Sequence, residues 1–114
     1  MRIATWNINS IRLRIQLVID FIKEHDIDVL CLQETKTEDQ HFPVAAFAEA
    51  GWPYQATRGE KSYNGVAILA RQPISRSAHL EWAGKTDCRH ISAVTADGVQ
   101  IENFYVPAGG DIAD

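Results

Sequence analysis

Two residues of this chain have the chemistry of a cation site. Asn7 lies in the run Ile3-Ala4-Thr5-Trp6-Asn7-Ile8-Asn9, and Glu34 in the run Ile27-Asp28-Val29-Leu30-Cys31-Leu32-Gln33-Glu34-Thr35-Lys36. Each run is largely apolar until it reaches a polar residue of ligand type. Taken singly, Glu34 reads either as a ligand or as a surface carboxylate at a strand end. Asn7 reads either as a ligand or as a helix cap, a common use of Asn at strand-to-helix turns. Brought together, a carboxylate and a carboxamide offer the hard oxygen atoms that Mg²⁺ takes, often with only one or two carboxylates from the protein.

The segment between the two runs decides whether they meet. Ile11, Ile15, Val18 and Ile22 recur at helical spacing, Leu17 and Phe21 widen the stripe, and Arg12, Arg14, Gln16, Asp20, Lys23 and Glu24 take the other side. With Ser10 as N-cap, this predicts a core-facing helix over residues 11–24. Strand, helix and strand form a βαβ unit with parallel strands and a right-handed crossover. Asn7 and Glu34 then share the carboxyl edge of neighbouring strands, where open α/β sheets bind ligands.

Downstream the pattern changes. Pro43 opens a short helix over 43–50 that Gly51-Trp52-Pro53 ends. Strands are expected over 54–57 and 65–70, a weak one through Leu80 and Trp82, and a hairpin of 90–96 and 99–106 turned by Asp97-Gly98. Three further features carry possible chemistry. Tyr105, at the end of the last strand, reads as a phosphate donor or as an ordinary strand aromatic. The loop with Arg58, Lys61, Ser62, Tyr63 and Asn64 reads as a nucleic-acid contact or as a solvated turn. His90 reads as structural.

Composition sets the outer bounds. At 114 residues the chain is one domain at most, and 46% hydrophobic residues suffice for a core. A formal charge of −4 argues against a histone-like binder but not against a metal enzyme that handles phosphates. Cys31 and Cys88 match no metal spacing, and reduced thiols in a cytoplasm are the default. No apolar run resembles a signal peptide or a membrane span. The ending Pro107-Ala108-Gly109-Gly110-Asp111-Ile112-Ala113-Asp114 has no capping element, so the chain is expected to be the amino-terminal part of a larger fold, or to have a partner on its bare sheet face.

At this point four segments resemble a known family. Thr5-Trp6-Asn7-Ile8-Asn9-Ser10-Ile11-Arg12, Leu32-Gln33-Glu34-Thr35-Lys36, Ser62-Tyr63-Asn64-Gly65-Val66-Ala67-Ile68-Leu69 and Asn103-Phe104-Tyr105-Val106-Pro107 are similar to the motifs of the endonuclease/exonuclease/phosphatase superfamily. Within it the chain most resembles the exonuclease III-type apurinic/apyrimidinic endonucleases, over residues 1–110. The resemblance implies an α/β fold, half of a four-layered α/β sandwich in which a βαβ opening precedes mostly antiparallel strands. It implies hydrolysis of DNA phosphodiesters with Mg²⁺, or Mn²⁺ in its place, by a DNA-repair enzyme acting on duplexes with abasic or 3′-damaged sites. Glu34 resembles the metal-binding glutamate, Asn7 the active-site asparagine beside that metal, and Tyr105 the tyrosine on the scissile phosphate. Arg12, Lys36, Tyr63 and Asn64 fall where relatives touch DNA or support the site. The whole enzyme is expected to be a cytoplasmic monomer. The Gly-Asp-x-Asn and Ser-Asp-His motifs are absent, and none of His25, His41, His79 and His90 replaces the latter. The 114 residues are therefore expected to be incomplete and inactive alone. RNA or inositol phosphates as substrates, and a non-catalytic binding module, are the alternatives.

Overall fold

A computed structural model describes residues 1–61, 63–78 and 88–106. The elements are β1 (Ile3–Asn7), α1 (Ile15–Glu24), β2 (Val29–Gln33), a 3₁₀ turn (Asp39–His41), α2 (Val44–Ala50), β3 (Tyr54–Arg58), β4 (Val66–Ala70), β5 (Ile74–Ala78), β6 (His90–Thr95) and β7 (Gln100–Phe104). They form two sheets, of order β1-β2-β4-β3 and β5-β6-β7. β1 and β2 are parallel, with Asn7 opposite Gln33, and the other strand pairs are antiparallel. The mixed α/β fold and its βαβ opening thus follow the expected pattern. The weak strand expected through Leu80 and Trp82 lies outside the described residues, apart from its start in β5.

Alternation along the strands builds three layers. Leu30 and Leu32 of β2, with Ala67 and Leu69 of β4, face Val18, Ile22 and Phe47 of the helices. Val29 and Cys31, with Val66, Ile68 and Ala70, face Ile91, Ala93 and Ile101 of the second sheet. β2 and β4 are therefore covered on both faces, which is why they read as near-continuous apolar runs. Cys31 and Cys88 are both buried and free, and burial pushes each thiol up to about 11.

The amino ends of β1 and β2 are tied down by charge. The Arg2 backbone N–H donates to Asp28 (2.7 Å), and Arg71 reaches Asp26 and Asp28 at 2.7 Å each. The Arg2 bond, followed by Arg71, holds the Asp28 carboxyl below its ordinary value. The Arg71 guanidinium also lies 5.5 Å from the Trp52 ring centre, and Trp52 Nε1 donates to the Ile27 carbonyl.

The first helix starts later than expected. α1 starts at Ile15 rather than residue 11, and Arg14, not Ser10, occupies the cap position without a side-chain cap bond. The cause is competition for backbone donors. Ser10 N–H donates to Glu34 O (2.8 Å) and Ile11 N–H to Thr35 O (3.1 Å), so these residues extend the β1–β2 pairing. Asn9 and Ser10 have φ of 49° and 85°, which no helical turn allows.

The same stitching continues around the carboxyl ends. Ile8 N–H donates to Gln33 O (3.0 Å), Thr35 N–H to Gly65 O (3.2 Å), Lys36 N–H to Asn64 O (2.9 Å), Gly65 N–H to Cys88 O (3.1 Å) and Tyr105 N–H to Arg89 O (2.8 Å). Gly65 is required here: its φ is +95°, and a Cβ would fall 2.1 Å from Thr35 Oγ1. Gly98 has φ +89° but open space around a Cβ. Both Ala substitutions strain the backbone, by about 1–3 kcal/mol. Gly65→Ala is expected to lower the thermal midpoint further than Gly98→Ala, because it also displaces Thr35. Equal midpoints would remove the steric part of this account.

Candidate functional site

The site is built where β1 and β2 end. Asn7 is the last residue of β1, on the same face as Thr5 and Ile3, toward the second sheet. Glu34 is one residue past β2. Continued alternation would turn it toward the helices, like Leu32, but its φ of 56° breaks the alternation. Its carboxylate meets Asn7 instead: Asn7 Nδ2 donates to Glu34 Oε2 at 2.7 Å. Left-handed backbone at a residue with a side chain costs energy and persists where the surroundings impose it. Here the bonds of its neighbours to Gly65 and Asn64 do so.

Tyr105 arrives from the second sheet. It packs against the layer between the sheets, and its hydroxyl lies beside the Glu34 carboxylate. Tyr105 lies just beyond β7, not within it as expected, because the strand ends at Phe104. The Asn7 bond, opposed by some burial and helped by Tyr105 and Lys36, holds the Glu34 carboxyl below its ordinary value of 4.5. Burial, then the bond to Glu34, raises the Tyr105 phenol above its ordinary value of 10.0. At neutral pH the pair is thus a carboxylate and a protonated phenol.

Lys36 completes the cluster. Its ammonium lies 3.5 Å from Glu34 Oε1 and donates to Asn9 Oδ1 at 2.7 Å. Asn9 is held in turn, since its carbonyl accepts from Arg14 Nη1 at 2.5 Å. Arg12 and Lys36 line a groove of about 280 Å³ with Thr37, Glu38, His41 and Lys61. Tyr63 stands 69% exposed on the adjoining loop. Asn64 acts on the site through its carbonyl, which accepts from Lys36 N–H.

Sequence reasoning missed three polar residues of this region. Asn9 follows Asn7 by one alternation, which was an available signal. Gln33 and Asn103 carried none, because their roles depend on how the sheets face each other. Gln33 Nε2 donates to Thr5 Oγ1 (2.9 Å) and to Asn103 Oδ1 (2.8 Å). Asn103 Nδ2 donates to the carbonyls of Leu32 (3.0 Å) and Ala67 (2.9 Å).

The described histidines are engaged elsewhere. His25 pairs with Glu24, His41 with Glu38, and the buried His90 with Glu102 at 2.7 Å. His90 also stacks on Phe104, on the face of β6 opposite Ile91 and Ala93, as the structural reading expects. His79 lies outside the described residues.

Among the described residues no three His, Cys, Asp or Glu side chains cluster as a metal cage. The donor set at Asn7 and Glu34 is one carboxylate kept ionised plus one carboxamide oxygen. That suits a hard cation that keeps most of its ligands from water or phosphate, and it does not suit a softer ion that needs several His or Cys.

Known proteins share this arrangement of chain. An AP endonuclease from Archaeoglobus fulgidus superposes with a TM-score of 0.85 at 42% identity, over 94% of this chain and 42% of its own. A 3′ phosphatase from Neisseria, solved with a product DNA hairpin, superposes with a TM-score of 0.85 at 36% identity, over 92% of this chain and 41% of its own. In sequence, the exodeoxyribonuclease of Bacillus subtilis is 32% identical over 75 residues, 63% of this chain and 29% of that protein. The DNA repair nuclease APEX1 of Danio rerio is 31% identical over 80 residues, 66% of this chain and 26% of that protein. The chain thus spans between 26% and 42% of the length of these relatives. Residues 4–112 carry the family's sequence pattern from the β1 strand through the Tyr105 segment, and on that match the chain belongs to the Endonuclease/Exonuclease/phosphatase family.

Proposed function

We propose that this protein serves hydrolysis of DNA phosphodiesters in DNA repair, as an enzyme of the exonuclease III and AP endonuclease type. The observation that carries the reading is the Asn7–Glu34–Tyr105 cluster at the mouth between two sheets. It combines a charged carboxylate, an amide and a neutral phenol donor. The names of the relatives support DNA rather than another phosphate ester. Abasic or 3′-damaged duplex DNA is the proposed substrate, the cytoplasm the proposed compartment, and a monomer the proposed state of the whole enzyme.

Glu34 and Asn7 would hold a Mg²⁺ ion. When bound, it would neutralise charge on the phosphate and the leaving oxygen. The chain's own residues do the rest. Asn7 keeps Glu34 oriented and ionised. The Tyr105 hydroxyl stays protonated and supplies a hydrogen bond to a phosphate oxygen. Arg12, Lys36, Tyr63 and Asn64 face the nucleic acid, the two cations on its backbone and Tyr63 on a base or sugar. Proton removal from the attacking water falls to a group outside the described cluster, since the described histidines pair elsewhere.

The reading is tested by incubating the whole enzyme with Mg²⁺ and an abasic duplex, an RNA and an inositol phosphate; residues 1–114 alone are expected to leave the duplex intact. Incision of the duplex is expected, with Glu34→Gln slowing it strongly while DNA binding stays near wild type, because phosphate contacts dominate affinity. Hydrolysis of RNA or the inositol phosphate with the duplex left intact would overturn it.

Tyr105→Phe removes one donor and no packing. A rate loss of about 10²–10³ is expected from such a deletion, with little change in stability. An unchanged rate would return Tyr105 to the role of a strand aromatic.

A third outcome concerns acid. Because the folded Glu34 titrates below 4.5, it contributes stability above that pH, and the contribution fades as pH falls through its folded value. Asn7→Ala removes the largest cause, so Glu34 is expected to titrate closer to 4.5 by carboxyl ¹³C NMR. A titration unmoved by Asn7→Ala would show that the bond does not hold the charge.

A further inference from the structure

The layer between the two sheets is largely apolar. Val29, Cys31, Ala56, Val66, Ile68, Ile91, Ala93 and Ile101 fill it. Within it stands Asn103, only 2% exposed. Its carboxamide uses both N–H donors and its oxygen: to Leu32 O on β2, to Ala67 O on β4, and from Gln33 Nε2, which also reaches Thr5 on β1. A single β7 side chain is thus hydrogen-bonded to two strands of the opposite sheet directly and to a third through Gln33.

Packing alone does not call for this. A buried amide gains little net stability over an apolar side chain of similar size, while its bonds work in one arrangement only. Apolar surfaces slide past one another at small cost; three directional bonds do not. The position matters as well. Asn103 lies on β7 and Tyr105 just beyond its end, two residues apart and both toward the layer between the sheets, and Gln33 precedes Glu34. The rung Asn103–Gln33 therefore adjoins the rung Tyr105–Glu34, and the first spans the sheets at the depth where the second must meet.

We propose that Asn103 is a positioning residue: its carboxamide sets the spacing and register of the two sheets that deliver the Tyr105 hydroxyl to Glu34. Its consequence for rate rests on the phosphodiesterase reading above; its consequence for geometry does not. Glu34 and Tyr105 come from different sheets and share no backbone hydrogen bond; the bonds Thr35 to Gly65, Gly65 to Cys88 and Tyr105 to Arg89 link their segments around the edge, and the side-chain rung ties the strands that carry them directly.

The test uses Asn103→Leu, with Gln33→Met as a second, milder variant that leaves the two backbone bonds of Asn103 in place. Folding of each is checked by thermal melting, and the Tyr105 ring is followed by ¹³C NMR, assigned with Tyr105→Phe. In both variants the Tyr105 ring signals are expected to shift and the nuclear Overhauser contacts between Tyr105 and the Glu34 side chain to weaken, further for Asn103→Leu. A loss of stability alone would not move them. Where cleavage is measurable, Asn103→Leu is expected to lower kcat by about 10–100-fold with KM little changed, as for partners that orient a site's first ligands. Added to Tyr105→Phe, it should lower kcat by much less than it does alone. Wild-type Tyr105–Glu34 contacts in folded Asn103→Leu would overturn the proposal, and so would wild-type contacts in Gln33→Met if the Leu variant does not fold. An absence of cleavage by the whole wild-type enzyme would count against the phosphodiesterase reading and leave these contacts to decide the positioning role.

Discussion

Everything at this site depends on the parallel pairing of β1 with β2. Parallel strands end on the same side, so two residues that are 27 apart in sequence come to one edge. The pairing does not stop where the strands do. Ile8, Ser10 and Ile11 continue donating to Gln33, Glu34 and Thr35. This continuation delays the helix, imposes left-handed backbone at Asn9, Ser10 and Glu34, and turns the carboxylate toward the second sheet. A tighter, conventionally capped βαβ turn would have satisfied the same donors within the helix and left Glu34 facing the helices.

That constraint explains what could and could not be read from the residues. The two strands, the order of elements and the proximity of Asn7 to Glu34 follow from local apolar runs and one crossover rule. The hairpin at Asp97-Gly98 follows from turn chemistry alone. The start of α1 did not follow, because Ser10 looks like a cap until its N–H is known to be taken by Glu34. Gln33 and Asn103 could not be singled out, since a polar residue on a strand says nothing about the opposite sheet. The Tyr105–Glu34 approach belongs to the same class: each end is legible, and the meeting is a property of tertiary packing. The roles expected of Tyr105, Arg12 and Lys36 came from the family resemblance; residue chemistry alone left Tyr105 and Arg12 with a bland alternative.

Two of the four edge strands among the described residues flank one groove. β1 borders the first sheet and β7 the second, and Ile3, Thr5, Gln33, Glu102, Asn103 and Phe104 line the groove between them. Ile3 and Phe104 are 47% and 42% exposed, unusual for large apolar side chains on strands. Unpaired edges with apolar neighbours invite further strands. The polar rung of Gln33 and Asn103 lies in this groove, so the element that braces the site also borders an open edge of both sheets.

The neighbours of Glu34 are mostly neutral. Asn7 donates to it, the Tyr105 hydroxyl adjoins it, Asn9 steers Lys36 beside it, and Gln33 and Asn103 brace the strands behind it. Carboxylates at any of these positions would have raised its affinity for a proton through like-charge repulsion and repelled a phosphate. Amides supply the same directional bonds without charge. The result is a single negative group, flanked by the Lys36 ammonium and a groove that carries Arg12 and Lys61. A chain with a formal charge of −4 can thus present a locally cationic rim to an anionic backbone. The site's single carboxylate stays available to a cation because a hydrogen bond from Asn7, rather than a second acid, keeps it ionised.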